Sequence, residues 1–195
     1  MLTALASRPV PVANPAASVT ELEAQYAETI DLLWRNFRRL GVPDAVLPDA
    51  VQDALLVVHR RRADFRGEAT FLTWVYGVLL RVASGYRRSA SRAAAVFDRR
   101  EPLAIDSATS PSPDPFEQLE QHAATELLHR LLDELPDEAR AVFVLVELEE
   151  LTIEAAARAL GLRVTTCKSR LRSARRAFDA ACARERARHE RLEVK

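Results

Sequence analysis

Apolar side chains recur at intervals of three and four residues over positions 19–40. They are Leu22, Tyr26, Ile30, Leu33 and Phe37. This spacing follows the 3.6-residue turn of an α-helix and places the five side chains on one face. Gly41 comes directly afterwards, and glycine is the residue type that most often ends a helix. The pattern therefore predicts a first amphipathic helix that ends just before Gly41.

Two further segments before residue 90 show the same periodicity. A second helix is predicted from about Asp49 to Arg62, and a third from near Thr70 to the basic pair Arg87–Arg88. A glycine inside a helix costs about 1 kcal/mol relative to alanine, so the third helix is expected to bend or end early at Gly85. The apolar faces of the three helices are long enough to share one core.

The composition then changes. Residues 101–115, EPLAIDSATSPSPDP, are rich in Pro, Ser and Asp, a composition that favours neither helix nor strand. Helical periodicity resumes beyond them. The sequence therefore predicts an all-α protein of two small helical domains joined by a flexible acidic linker. The predicted segments are a disordered leader (1–18), the first domain (19–95), the linker (96–120), the second domain (121–182) and a charged tail (183–195).

Residues 151–178 of the second domain, LTIEAAARALGLRVTTCKSRLRSARRAF, have the pattern of a helix-turn-helix. Thr152 suits the start of a short helix, and Gly161 suits the left-handed position that ends it. Arg163 cannot accept amide hydrogen bonds, so Thr165 is expected to cap the second helix while Arg163 reaches a phosphate. An apolar seam is predicted to join the two helices: Leu160, Leu162, Val164, Cys167 and Leu171.

Charge is segregated along the chain although 28 basic and 28 acidic residues sum to zero. Residues 101–154 hold fourteen acids and two bases, whereas residues 158–176 hold seven Arg or Lys and no acid. Cations that neutralise DNA phosphates release counterions, which favours binding. A solvated, arginine-rich helix is the alternative interpretation. The preceding short helix and the glycine turn favour DNA, because the second helix of such a motif enters the major groove.

Other classes of function find little support in the sequence. Cys167 and Cys182 are too few for a disulfide framework or a zinc site, and the four histidines are scattered, so no metal or cofactor is expected. There is no glycine-rich phosphate loop, His-Glu-x-x-His or nucleophile motif, so no enzymatic activity is expected. No apolar run approaches the roughly 18 residues of a membrane span. The start lacks the charged region of a signal peptide, so a cytoplasmic location is expected.

Two stretches resemble one protein family. Residues 135–178 resemble the carboxy-terminal promoter-binding domain of bacterial RNA polymerase sigma factors of the extracytoplasmic-function type. The matching elements there are Leu135–Pro136, Glu147–Leu148–Glu149, Leu151–Thr152, Ala159–Leu160–Gly161 and Lys168–Ser169–Arg170–Leu171. Residues 47–89 resemble the amino-terminal domain of the same family. The matching elements there are Asp49, Val51–Gln52–Asp53, Phe65–Arg66–Gly67, Phe71, Thr73–Trp74 and Arg87–Arg88.

The resemblance implies a subunit that binds core RNA polymerase, recognises promoter DNA and helps to melt it. The residues implied to dock on the clamp helices of the largest polymerase subunit are Asp49, Gln52 and Asp53. Those implied to hold the downstream promoter element are Arg66, Trp74, Tyr76, Arg81, Tyr86, Arg87 and Arg88. Those implied to meet the upstream element, as duplex, are Arg163, Thr165, Thr166, Lys168, Ser169, Arg170, Arg172, Arg175 and Arg176. Trp74 has a competing interpretation as a core residue beside Phe71.

Several hypotheses about function follow. The first is a specificity subunit of the polymerase, for which the resemblance also implies an anti-sigma factor as a further partner. The second is a stand-alone regulator that uses only the helix-turn-helix and binds DNA without polymerase. A scaffold that binds a partner through its acidic middle is another. The segment from Asp49 to Asp53 and the aromatic-basic helix after it favour the first hypothesis, because a simple repressor has no need for them.

Overall fold

The protein is described by a computed structural model that covers residues 19–61, 65, 69–96 and 115–193. Within these ranges the regular structure is entirely helical, which confirms the predicted all-α class. The predicted leader, the central part of the predicted linker and Arg66 lie outside the described residues. The helices are α1 (Val19–Arg39), α2 (Leu47–Arg61), α3 (Phe71–Val96), α4 (Pro115–Asp133), α5 (Asp137–Phe143), α6 (Ile153–Leu160) and α7 (Val164–Glu193).

The first three helices begin and end near their predicted limits, with one difference. Gly41 adopts a φ of 78° after α1, and the amide of Val42 donates to the carbonyl of Phe37 over 3.0 Å. Helix α3, in contrast, continues through Gly85 as far as Val96. The residues after Arg88, SASRAAAV, include four alanines, and alanine has the highest helix propensity. Helix α3 therefore does not end at Gly85.

Replacing Gly85 or Gly161 by alanine is expected to change the stability of the protein in opposite directions. A Cβ added at Gly85 would meet no heavy atom within 4 Å, so Gly85→Ala is expected to raise the free energy of unfolding by about 0.5–1 kcal/mol. Gly161 has a φ of 65°, so Gly161→Ala is expected to lower it by about 1 kcal/mol. Urea unfolding followed by circular dichroism measures both. The same sign for the two variants would contradict this account.

The second half of the chain contains a π-helical turn that the sequence does not predict. Helix α4 begins at Pro115, inside the predicted linker, and Pro136 stands directly before α5. Helix α5 then widens into a π-helical turn, Val144–Leu148. The amide of Glu149 donates to the carbonyl of Val144, five residues earlier, over 3.0 Å. This turn sets the direction in which Glu149 leaves the helix.

Helices α6 and α7 form the predicted helix-turn-helix. The amide of Ala155 donates to Oγ1 of Thr152 over 3.1 Å, so Thr152 caps α6 as predicted. Gly161 ends α6 in the predicted left-handed conformation, with a φ of 65°. Helix α7 already begins at Val164, and the amide of Cys167 donates to the carbonyl of Arg163 over 3.0 Å. The residue before α7 is therefore Arg163, and Thr165 lies inside the first turn instead of capping it.

The predicted seam between α6 and α7 is present except at one end. Cys167 and Leu171 are buried, and Leu160 and Leu162 are half-buried. Val164, in contrast, is 36% exposed. It is the first residue of α7, and no described element covers that turn. Placing Val164 in the seam was therefore wrong.

The two helical blocks share one hydrophobic core. Its buried members come from both sides of the predicted linker and include Phe37, Leu79, Val142, Leu145 and Leu171. Helix α6 packs across α3. The two helices are in van der Waals contact, since a Cβ added at Gly77 would lie 3.5 Å from the carbonyl oxygen of Ala159. Helix α1 also contacts α4. The blocks that composition separates are therefore in direct contact.

Candidate nucleic-acid interface

The start of α7 carries the residues predicted to meet the upstream promoter element. Those with exposed side chains are Arg163, Thr165, Lys168, Ser169, Arg172, Arg175 and Arg176. Thr166 and Arg170 are half-buried. The buried side chains of Cys167 and Leu171 anchor the helix from its other side, and burial raises the pKa of the Cys167 thiol. The helix-turn-helix therefore presents a cationic and hydroxyl-bearing face to solvent.

Two cations of this face have partners within the chain. Arg175 lies 2.6 Å from Oε1 of Glu147 through its Nη2 atom, and Arg170 forms an ion pair with Glu138. Among the described residues no ion pair involves Lys168 or Arg172. Within the described part of the chain, these two side chains are therefore not held by a carboxylate.

Helix α3 presents the cations predicted for the downstream element in two different ways. Arg81 and Arg88 are exposed. Arg87 is half-buried: its Nη1 atom donates to the carbonyl of Leu40 over 2.7 Å, and its Nη2 atom lies 3.0 Å from Oδ2 of Asp137. Burial lowers the pKa of Arg87, and the carboxylate of Asp137 opposes that change. In this arrangement Arg87 holds the two blocks together.

Two aromatic residues predicted to meet DNA pack against other side chains of the protein. Tyr76 is buried, and its hydroxyl donates to Oε2 of Glu149 over 2.5 Å. The ring of Trp74 is half-buried against Phe71 and Phe65, with ring centroids 5.6 Å and 6.0 Å away. The structure therefore places Tyr76 in the core, where it cannot stack on a base, whereas Trp74 lies half-buried in an aromatic cluster with Phe71 and Phe65.

Glu149 is a buried centre of charge that sequence reasoning missed. Its Oε1 atom lies 2.5 Å from Nη1 of Arg39, and its Oε2 atom lies 3.4 Å from Nη2 of Arg35. Burial lowers the pKa of Arg39, and the charge of Glu149 opposes this change. Burial and the neighbouring carboxylate raise the pKa of Tyr76. In the sequence Glu149 stands three residues after the apolar run VFVLV, within the matching element Glu147–Leu148–Glu149, and neither feature indicates that its side chain is buried.

The residues predicted to bind polymerase lie on one exposed face of α2. Asp49, Gln52 and Asp53 are exposed, and Leu56 on the same face is 41% exposed. The hydroxyl of Tyr86 donates to Oδ2 of Asp53 over 2.8 Å. Burial, and then this hydrogen bond, raise the pKa of Tyr86 to about 12. The bond therefore joins Asp53, which is predicted to bind polymerase, to Tyr86, which is predicted to bind DNA.

Two further kinds of site are absent from the described residues. No group of three or more His, Cys, Asp or Glu side chains there is arranged to hold a metal ion. No described helix has the length and apolar character needed to cross a membrane.

Comparison with known proteins decides between the hypotheses. The family model "Sigma-70, region 4" matches residues 125–178. The ECF RNA polymerase sigma-E factor of Escherichia coli K12 is 28% identical over 142 residues, which cover 71% of this chain and 74% of that protein. The match extends well beyond the helix-turn-helix. This chain is a sigma factor of the extracytoplasmic-function type.

Further comparisons agree with this family. The RNA polymerase sigma-H factor of Pseudomonas aeruginosa PAO1 is 26% identical over 137 residues, or 68% of this sigma factor and 71% of that one. The structure of RpoE in complex with the anti-sigma factor NepR from Bartonella quintana has a TM-score of 0.63 at 21% identity. The match covers 85% of this chain and 98% of that one. CnrH in complex with the cytosolic domain of CnrY has a TM-score of 0.61 at 20% identity, with coverages of 86% and 91%.

The family assigns the general function. The sigma factor is a promoter-specificity subunit of RNA polymerase and not a stand-alone regulator. It belongs to a family of transcription initiation factors.

Proposed function

We propose that the sigma factor divides its work among three helices. The exposed face of α2 binds the clamp helices of the largest polymerase subunit. Helix α3 holds the downstream promoter element, and the start of α7 lies in the major groove of the upstream element. The observation that carries this proposal is the face of α7, because it combines a capped helix-turn-helix with cations that have no acidic residue near them in sequence.

The first turns of α7 suit the two tasks of DNA recognition. Lys168 and Arg172 are four residues apart, so they lie on the same side of the helix and can neutralise neighbouring phosphates. Thr165 and Ser169 are exposed hydroxyls on the same turns, and hydroxyls bond to base edges of either polarity. Phosphate contacts fix the position of the helix, and base contacts give it sequence preference.

Binding of the downstream element requires different side chains from binding of the upstream duplex, because single-stranded bases need cations and stacking surfaces. Arg81 and Arg88 on α3 are exposed and supply the cations. Tyr86 is half-buried and keeps part of its ring at the surface. Arg66, which lies outside the described residues, completes the proposed set. The buried Tyr76 takes no part while the two blocks are packed as described.

Reversal of one charge tests the assignment of α2. Asp53→Arg is expected to weaken binding to core polymerase on the order of tenfold, because it replaces an exposed anion at the proposed interface by a cation. Co-purification and competition binding with purified core enzyme measure the effect. Tyr86→Phe removes only the hydrogen bond to Asp53, and Asp179→Arg is the charge-matched control on α7. Unchanged binding of Asp53→Arg would remove α2 from the interface.

Transcription in vitro tests the proposed function as a whole. Purified protein and core polymerase together are expected to initiate from promoters of the host, whereas core polymerase alone is not. The reaction is repeated with promoter fragments that lack either element. Loss of initiation with both fragments supports separate roles for α3 and α7. Full initiation without the upstream element would contradict the role of α7.

Partners and location complete the proposal. An anti-sigma factor is proposed as a further partner, and the RpoE structure contains one. An open groove of about 870 Å³ between α1, α4 and α7 offers it an apolar surface that includes Trp34, which is 41% exposed. We place the sigma factor in the cytoplasm, where polymerase and promoters are, and assign it no catalytic activity of its own.

A further inference from the structure

One cleft of the structure gathers more positive charge than its acids balance. It has a volume of about 400 Å³ and is lined by α3 on one side and by α6 and the start of α7 on the other. The arginines among its described lining residues are Arg81, Arg87, Arg88, Arg158 and Arg170. The acids among them are Asp137 and Glu138. Five cations and two carboxylates leave an excess of three positive charges in the cleft.

The two carboxylates are already matched to two of the arginines. Asp137 lies 3.0 Å from Nη2 of Arg87, and Glu138 forms an ion pair with Arg170. Among the described residues no ion pair involves the remaining arginines of the cleft, Arg81, Arg88 and Arg158. These three side chains are exposed. The excess charge of the cleft is therefore carried by three arginines that solvent can reach.

These three arginines come from both walls of the cleft. Arg81 and Arg88 are seven residues apart on α3, so they lie on the same side of that helix, about 10 Å apart along its axis. Ser84 lies between them and accepts a hydrogen bond from Arg88 through its hydroxyl. Arg158 belongs to α6, on the opposite wall. A ligand between the walls can therefore meet cations from two helices at once.

The charge and size of the cleft suit a small ligand with more than one phosphate group. Guanidinium groups match phosphate oxygens through paired N–H donors. A phosphate group carries about 1.5–2 negative charges at pH 7, so two such groups are needed to neutralise three arginines. Cavities that bind small molecules measure about 300–1,000 Å³, and a cleft lined by one sign of charge concentrates ions of the other sign.

We propose that this cleft binds a diphosphate, either as free pyrophosphate or as part of a nucleotide, between Arg81 and Arg88 of α3 and Arg158 of α6. Arg87 and Arg170 keep their ion pairs with the acids. Arg158 has no part in the proposed function, so the site adds a ligand that promoter binding does not require. Arg81 and Arg88 are also proposed to hold the downstream element, so diphosphate and DNA would compete for them. This competition rests on the proposed function, whereas the binding site itself does not.

Calorimetric titration of the full chain with inorganic pyrophosphate, without polymerase, tests the site. Arg158→Ala is expected to weaken binding on the order of tenfold, because it removes a charged hydrogen bond from one wall. Arg188→Ala is the matched control: it removes the same charge from an exposed position of α7 outside the cleft, and it should keep wild-type affinity. Alanine favours a helix at both positions, and circular dichroism checks that both variants are folded.

Two results of this titration would overturn the proposal. The first is a wild type that does not bind pyrophosphate. The second is equal weakening by Arg158→Ala and Arg188→Ala, which would show that pyrophosphate responds only to the total charge of the chain. A further variant, Arg158→Lys, keeps the charge but loses the paired donors, so its affinity should lie between those of the wild type and Arg158→Ala.

Two other ligands test the number and the source of the phosphate groups. Orthophosphate is expected to bind at least tenfold more weakly than pyrophosphate, because one group neutralises only part of the excess charge. Equal affinities would contradict a diphosphate site. Adenosine diphosphate distinguishes the two sources: affinity equal to or above that of pyrophosphate supports a nucleotide, and affinity at least tenfold lower supports the free anion.

Nuclear magnetic resonance locates the ligand without a substitution. Pyrophosphate is expected to shift the amide signals of Gly77 and Gly161, which line the cleft, and to leave those of α4 unchanged, because no described residue of that helix lines it. Shifts confined to the exposed face of α7 would overturn the proposal.

Promoter binding by the polymerase complex separates this site from the DNA surface. Arg158→Ala is expected to bind the promoter with wild-type affinity when no pyrophosphate is added. Weakening as large as that of pyrophosphate binding would make the cleft part of the DNA surface and overturn the proposal. If the wild type with core polymerase fails to initiate transcription, the proposed function fails instead. Pyrophosphate binding is measured on the free chain, so the two failures are distinguishable.

Discussion

Replacing Glu149 by glutamine is expected to lower the free energy of unfolding by about 3 kcal/mol, because it leaves the buried Arg39 without a compensating charge. Only 5% of the Arg39 side chain and 1% of the Glu149 side chain are exposed, so water cannot replace the lost partner. Tyr76 would also exchange a charged hydrogen-bond acceptor for a neutral one. Urea unfolding followed by circular dichroism measures the change.

The next residue provides the control for this variant. Glu150 is exposed, and Glu150→Gln is expected to change the free energy of unfolding by less than about 0.5 kcal/mol. Tyr76→Phe removes one hydroxyl from the same cluster and should cost about 1 kcal/mol. The expected order of loss is therefore Glu149→Gln, Tyr76→Phe, Glu150→Gln. Equal stability of the wild type and Glu149→Gln would mean that the buried charges do not stabilise the joint core.

Replacing Lys168 and Arg172 together by alanine is expected to weaken promoter binding by the polymerase complex on the order of 100-fold, because each charged hydrogen bond to phosphate contributes about 1.5 kcal/mol. The dependence of log affinity on log salt concentration should become shallower by about 1.8, or about 0.9 for each phosphate contact. Both side chains are exposed, so the fold should be unaffected. A salt titration of promoter binding measures affinity and slope together.

Two cations farther along the same helix form a matched control. Arg188 and Arg191 are exposed on α7, beyond the helix-turn-helix. Alanine at both positions removes the same charge, yet the salt dependence should remain that of the wild type. Equal slopes for the two double variants would mean that total charge, rather than contact by the first turns of α7, governs binding.

Local signals in the sequence predicted the elements of this fold well. The residues Thr152, Gly161 and Gly41 mark helix ends because a cap or a left-handed turn depends on a few adjacent residues. The helix-turn-helix and its cationic face follow from the same kind of pattern. Three interpretations failed for local reasons: Gly85 does not end α3, Thr165 does not cap α7, and Val164 lies beyond the elements that cover the seam.

Contacts between distant segments could not be predicted in this way. Glu149 meets Arg39 and Tyr76 across separations of 110 and 73 residues, and no periodicity marks such a meeting. The same limit explains why Tyr76 was expected at the DNA. Composition marked a boundary between two blocks, but it carries no information on whether they touch. Whether an arginine is free or paired with an acid of the chain is likewise decided by the packing of α5 against α7.

The π-helical turn makes the length of the chain at this point as important as its composition. Each residue of an α-helix turns by about 100°, so deleting one residue between Val144 and Glu149 would restore ordinary helical bonding and rotate the carboxylate away from Arg39. Every side chain of the cluster would still be present, yet the charges would no longer meet. Tolerance to single-residue deletions should therefore fall to a minimum in these few positions.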